Sequence, residues 1–253
     1  MAVITSQQAE KIRNLLEQDR AWSAYALADL DPGFIEDTSW YMNNQAVIMT
    51  YTGIQPPVLF THGDAGSLAH LICDLPAGLY QVSIQQEHLK SLQKRLSLDT
   101  PVPMQRMVLD RTRFPAGGKP DSAKLLSRAQ LSEILELFAQ YPDQPDAFVP
   151  DQLEQNTFYG LYQDGQLVSF GGTHVVSRTA GIAAVGSIFT HPAQRGKGFA
   201  SLTTAAVVRR LLDWDIRTII LNVAPENTPA VRCYQRLGFY PVYSYYEGAG
   251  TIS

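Results

Sequence analysis

Residues 194–201 read Gln194-Arg195-Gly196-Lys197-Gly198-Phe199-Ala200-Ser201 and lie between an apolar strand-like run and an amphipathic helical pattern. A strand that ends in a tight glycine turn and opens a helix gathers several unpaired backbone N–H groups at one point. With the positive end of the helix dipole, they form a site for phosphate or pyrophosphate. Two familiar loops fail here. A nucleoside-triphosphate loop needs Gly-x-x-x-x-Gly-Lys-[Ser/Thr]. His191 stands at its first glycine, and Gly198 stands where Ser or Thr would hold magnesium. A dinucleotide turn needs a third glycine, where Ser201 stands, and an acidic residue about 20 positions on, along a following strand. Asp213 and Asp215 fall at the end of the same helical pattern instead.

A third pattern fits. Arg195-x-x-Gly198-x-Ala200 matches the Arg/Gln-x-x-Gly-x-Gly/Ala signature of the GCN5-related N-acetyltransferases. Upstream, Ser187-Ile188-Phe189-Thr190-His191-Pro192 resembles that family's fourth strand and its exit. Downstream, Asn222-Val223 and then Asn227-x-x-Ala230-x-x-x-Tyr234-x-x-x-Gly238-Phe239 resemble its last motif. Around residues 158–200 the chain is similar to the glycine N-acyltransferase branch. The resemblance covers about residues 104–246 and implies an α/β (mixed α+β) fold, with a central, splayed mixed sheet flanked by helices. It also implies acetyl-CoA as acyl donor, with the 194–201 loop clasping the pyrophosphate of coenzyme A.

Composition agrees with a folded enzyme. Hydrophobic residues make up 45% of the 253 and charged residues 17%, which excludes a disordered chain. A formal net charge of -4 gives no reason to expect nucleic acid. Cys73 and Cys233 are far apart and in no metal-like spacing, so neither a disulfide framework nor a metal is expected, and a reducing cytoplasm suits the chain. Residues 1–20 lack a signal-peptide core, and no stretch approaches the roughly 20 apolar residues that span a bilayer. No membrane partner is expected.

Periodicity and turn residues divide the chain in two. In the first part, 1–98, the pattern predicts a helix over 8–30, stopped by Asp31-Pro32-Gly33. Strands follow over 46–51 and 58–61, then a short helix over 67–74, a strand over 80–84 and a helix over 86–96. This smaller α/β domain is either a degenerate copy of the acetyltransferase fold or an unrelated substrate-binding cap. Pro101 and Pro103 read as a junction. The second part, 99–253, holds the catalytic unit: a strand over 105–110, a loop over 116–120, and a helix from a Ser127 cap to Tyr141. A hairpin over 156–176 turns on Asp164-Gly165, and a buried strand covers 181–190. A helix over 198–213, with Phe199, Leu202, Ala206 and Leu211 inward, a strand over 218–223, a helix over 228–236 and a strand over 240–246 complete it.

Acyl transfer from a thioester to an amine needs a polarised carbonyl, a neutral amine and a proton for the departing thiolate. The resemblance assigns the first task to backbone N–H groups of the splayed fourth strand, here Ser187 to Thr190, so Ile188, Phe189 and Thr190 are named for position. As side chains, Ile188 and Phe189 are apolar core in any α/β protein. The resemblance gives Tyr234 the place that protonates the thiolate, and a phenol with a pKa near 10 carries that proton at neutral pH. Ala230, Tyr234 and Gly238 share a helix face. Asn227 caps that helix and is expected to bond the cofactor, as are Ala230 and, more weakly, Asn222. Gly238-Phe239 reads as a helix stop, Cys233 as a small buried hydrophobe and His191 as turn chemistry.

No carboxylate occurs over 181–190, and Ala184 aligns with the glutamate that some family members use as base. A water chain, His174, Glu226 or a residue of the first part is left for that role. The acceptor is an amine of a small molecule or peptide, with specificity expected from about residues 127–155. Asp143, Asp146, Asp151 and Glu154 make that region acidic, which suits a cationic amine or simply a solvated loop. The assembly is a monomer or homodimer. A non-catalytic acyl-CoA sensor is the alternative from another class.

Overall fold

The computed structural model describes residues 5–115, 122–139 and 148–253. The predicted loop over 116–120, the end of the predicted helix at Tyr141, and Asp143 and Asp146 lie outside the described residues. The chain divides into two compact units: one of residues 1–106, 223–226 and 241–253, the other of residues 107–222 and 227–240. The C-terminal stretch beyond 240 therefore packs with the N-terminal unit.

In the N-terminal unit, α1 (Ser6–Leu16) starts at a Thr5 capping box and buries Ile12, Leu15 and Leu16. The single helix expected over 8–30 is corrected: a 3-10 turn over Glu17–Asp19 intervenes before α2 (Ala24–Ala28). The Asp19 carboxylate accepts from the Trp22 backbone N–H at 3.0 Å, which turns the chain and sends the Trp22 side chain into the core. A strand that the sequence pattern does not predict, β1 (Thr38–Met42), comes after it. Next are β2 (Ala46–Tyr51), β3 (Val58–Gly63), α3 (Ala65–Leu71), β4 (Gly78–Gln85) and α4 (Gln86–Leu92).

At the predicted junction the backbone is extended: β5 (Leu96–Leu109) runs straight through Pro101 and Pro103. Proline gives up a ladder donor. Residues 99–103 are exposed there, so water can serve the unpaired carbonyls. The strand order in this unit is β1-β2-β3-β4-β11-β5, where β11 (Phe239–Ile252) outruns the predicted 240–246 and pairs antiparallel with β4 as far as Ile252↔Gly78. Gly250 hides that extension in the sequence. A Cβ there would lie 2.7 Å from Val82 and 3.0 Å from Leu96 and Leu98, so the missing side chain is what lets the strand pack.

The second unit contains β6 (Ala123–Leu126), α5 (Leu131–Ala139), α6 (Gln152–Gln155), β7 (Phe158–Gln163) and β8 (Gln166–Ser177). It continues with β9 (Ile182–Thr190), α7 (Phe199–Asp213), β10 (Thr218–Val223) and α8 (Thr228–Arg236). Strand order is β10-β9-β8-β7-β6, antiparallel except for the parallel β9–β10 pair. Asp164 and Gly165 have φ of 51° and 81° between the paired Gln163 and Gln166, the two-residue turn that the Asp-Gly dipeptide predicts. Ser127 and Gln130 form a capping box ahead of α5, whose first turn is 3-10. An aromatic core joins Phe138 of α5 to Phe170 of β8 and Phe189 of β9, with ring centroids 5.1 and 5.5 Å away.

Element order repeats. The series α1-α2-β1-β2-β3-α3-β4-α4-β5 has the same pattern as α5-α6-β7-β8-β9-α7-β10-α8-β11. In each series the second and third strands pair antiparallel and the third and fourth pair parallel.

Candidate active site

The glycine turn has the expected backbone. Gly196 and Gly198 have φ of 80° and 83°, and a Cβ on either would meet nothing within 4 Å. Glycine is needed there for the left-handed conformation alone. Gly198 is the N-cap of α7, and the first intrahelical bond runs from the Leu202 N–H to the Gly198 carbonyl. The N–H groups of Phe199, Ala200 and Ser201 therefore precede any intrahelical acceptor, at the positive end of a 15-residue helix with no acidic residue in its first turn. Two cations flank them. Arg195 Nε donates to the Thr190 carbonyl at 3.3 Å, and Lys197 Nζ donates to Gln194 Oε1 at 2.7 Å. His191 serves the turn, its Nδ1 accepting from the Ala193 N–H at 3.1 Å.

The strand before the turn parts from its neighbour. Parallel pairing of β9 with β10 runs from Ile182↔Thr218 to Val185↔Leu221, while β9 continues to Thr190. Gly186 pairs with Gly172 and Phe189 with Phe170, so two residues of β9, Ser187 and Ile188, oppose Gly171 alone. This is a β-bulge, and Ser187 carries its strain with φ of 52°. A second bulge lies in β8, where His174 is the extra residue between Thr173↔Val185 and Val175↔Ala184. The bulges meet: His174 Nε2 lies 3.2 Å from Ser187 Oγ. Burial pushes the His174 pKa down to about 4, so the ring is neutral at pH 7.

Side chains of the named strand residues divide by face. Phe189 is buried in the aromatic core, so only its backbone is available to a ligand. Ile188 faces Gly171, where an added Cβ would lie 2.2 Å from its Cδ1. Thr190 joins a hydroxyl cluster that sequence reading missed. Ser169 Oγ lies 2.8 Å from Thr190 Oγ1 and 3.2 Å from Thr203 Oγ1 of α7, and donates to the Phe189 carbonyl at 3.0 Å. Of the residues predicted inward on α7, Ala206 and Leu211 are buried, whereas Phe199 and Leu202 are half-buried; Thr203 and Val207 are fully buried in their place.

On α8, Asn227 Oδ1 accepts from the Ala230 N–H at 3.3 Å, the predicted cap. Tyr234 is buried, edge-on to Phe239 at 6.2 Å, and burial raises its phenol above the ordinary value. Cys233 is buried beside the Ser201 hydroxyl, which brings α8 against the start of α7; burial pushes its thiol up. Gly238 ends the helix with φ of 94° and its carbonyl accepts from the Asp110 N–H at 3.0 Å. Asn222 is half-buried on β10, just past the last β9–β10 pair, and Glu226 is exposed. Among the described residues no cluster of His, Cys, Asp or Glu could hold a metal ion, and no helix is long and apolar enough to cross a membrane.

A strand pair that parts before a helix capped by a glycine turn is the arrangement that the acetyltransferase resemblance implies. Residues 128–239 match the Acetyltransferase (GNAT) family, and the chain carries a domain of that family. Mycothiol acetyltransferase of Arthrobacter sp. (strain FB24) is 32% identical over 153 residues, covering 53% of this chain and 47% of that protein. The chain spans about half the length of such curated relatives. Two solved structures share the fold across nearly the whole chain. An acetyltransferase from the GNAT family from Colwellia psychrerythraea has a TM-score of 0.61 at 11% identity, covering 100% of this chain and 99% of its own. A tandem GNAT protein from the clavulanic acid biosynthesis pathway has a TM-score of 0.59 at 12% identity, covering 99% and 96%.

Proposed function

We propose that the chain is an acetyl-CoA-dependent N-acyltransferase that moves the acetyl group directly from coenzyme A to an amine. The observation that carries this reading is the parting of β9 from β10 ahead of the Gly196–Gly198 turn. One edge of backbone is left for the thioester and pantetheine, and one helix start for the diphosphate. Cofactor contacts fall to the backbone of Ile188, Phe189 and Thr190, to the loop Gln194–Ser201, and to Asn222, Asn227 and Ala230. Tyr234 gives its proton to the departing thiolate. Coenzyme A supplies the activated acyl group when bound; the protein supplies orientation and fixed donors.

The acceptor is a small-molecule or peptide amine. The name of the relatives makes a mycothiol-related amine the first to test, and the two isolated cysteines suit a cytoplasmic site of action. The repeated element order supports reading the N-terminal unit as a second, degenerate copy of the fold. The test is thiol release from acetyl-CoA with a panel of amines. Amine-dependent release is expected; coenzyme A binding without any release would favour an acyl-CoA sensor.

A further inference from the structure

β4 and β11 pair antiparallel from Ile252↔Gly78 to Tyr245↔Gln85 and go no further. At Gln86 the chain turns into α4, and residues 242–244 of β11 have no β4 partner. The fork between them holds an open cavity of about 540 Å³, lined by Gln85, Gln86, Glu87, Val242, Tyr243 and Ser244, all within the N-terminal unit. We propose that this fork is a binding site for a small hydroxylated amine in its ammonium form. The inference goes beyond the acetyl-transfer reading and does not rest on it.

Gln85 points to a ligand. It is the N-cap of α4 and only 7% exposed, yet its side-chain amide makes no cap bond and has no hydrogen-bond partner among the described residues. A buried amide without a partner is costly, and native proteins keep few of them. Its two N–H donors and its carbonyl oxygen are left for whatever enters the cavity. Gln86 and Ser244, both exposed, add a second amide and a hydroxyl to the lining. Such a wall suits hydroxyl groups, which give and take hydrogen bonds. Val242 is the one aliphatic residue of the lining, so little is offered to an apolar tail.

Charge decides the rest. Tyr243 donates its hydroxyl proton to the Asp19 carboxylate, so its oxygen has only lone pairs to offer a ligand. The Glu87 side chain is 77% exposed, and its ion-pair contact, His88 Nε2 at 3.8 Å, is neutral at neutral pH because burial lowers the pKa of that ring. Burial, Asp19 and Glu87, in that order, raise the Tyr243 phenol above its ordinary value, and the Arg106 guanidinium offsets them only weakly. Both carboxylates therefore act where a ligand would meet Tyr243. No lining residue is a cation. An ammonium group is drawn in, whereas a phosphate or carboxylate would find no counter-charge. The volume falls within the roughly 300–1,000 Å³ span of small-molecule sites.

Calorimetry on the full chain without acetyl-CoA, at neutral pH, compares glucosamine, glucose and glucuronate, one pyranose ring bearing a positive, no or a negative charge. Glucosamine should bind, glucose about tenfold or more weakly, and glucuronate not measurably. Glu87→Gln keeps the fold, since the side chain lies in solvent, and should weaken glucosamine about tenfold, the worth of one hydrogen bond to a charged group. Gln85→Leu keeps the volume, removes the amide and should cost about as much. Wild-type affinity for glucosamine in either variant, equal binding of glucose and glucosamine, or no binding of glucosamine overturns the assignment. Should Gln85→Leu fail to fold, Glu87→Gln alone decides.

Discussion

β3 leads into α3 through Gly63 and Asp64, whereas β9 leads into α7 through residues 191–198. Both strands are the third of their series, and both part from a parallel partner. β3 pairs with β4 only from Val58 to Phe60, as β9 pairs with β10 only to Val185. Past the parting the two units differ. At Thr61, the first residue past the last pair, the carbonyl accepts from Trp22 Nε1 at 2.7 Å. Trp22 is fully buried there, stacked on Phe60, edge-on to Tyr245 and covered by the Arg106 guanidinium 4.6 Å from its ring. The start of α3 is served by the chain's own anion: the Asp64 carboxylate accepts from the Ser67 N–H at 2.7 Å, which holds its pKa below the ordinary value. At β9 and α7 no acidic side chain occupies the first helical turn, and glycine replaces the capping carboxylate. The parting is stoppered by Trp22 in one unit, and in the other the helix that follows starts on glycines with no acidic residue in its first turn, so one coenzyme A per chain is expected.

The sharpest way to break this comparison is chemical. Tyr234→Phe should lower kcat by about 10²–10⁴-fold with cofactor affinity intact, since it removes only a proton donor. Unaltered turnover where chemistry limits the rate would strip Tyr234 of its role. Trp22→Ala should cost about 3–5 kcal/mol of stability, the usual loss for a buried indole, seen as a lower denaturation midpoint. Calorimetry on that variant should still find one coenzyme A; a second site would show that Trp22 alone had closed the first unit. Arg195→Glu should weaken coenzyme A about tenfold by setting a negative charge against the diphosphate. Unchanged affinity would move the anion site elsewhere.

Acid gives the smallest effect and touches both units. Burial lowers the pKa of His62, His88 and His174 in the folded state. As pH falls through about 6.5 the unfolded chain takes up these protons first, so stability is complete above that value and declines below it. For His174 the decline continues towards about 4. A melting temperature that is flat across that window would contradict the buried, neutral histidines.

Much of the second unit was legible because its signals are local. Asp164-Gly165 fixes a hairpin, Asn227 and Pro229 start a helix, and α8 and β10 have the predicted ends. The glycines of the turn could be read as backbone requirements before any coordinates. The first unit was less so, because Trp22 breaks its helix for a long-range partner, Thr61, that no window of sequence contains. The bulges at His174 and Ser187 were invisible for a related reason. A bulge is a mismatch between two strands, and one strand's pattern does not reveal it.

The Ser169 hydroxyl has a consequence for reach. By bonding the ends of β8 and β9 and the body of α7 at once, it ties the strand proposed to meet the thioester to the helix proposed to meet the diphosphate with directional links. If the proposed cofactor contacts hold, the protein works as a fixed ruler along the pantetheine arm, with the distance from diphosphate to thioester set by the fold and not by the ligand.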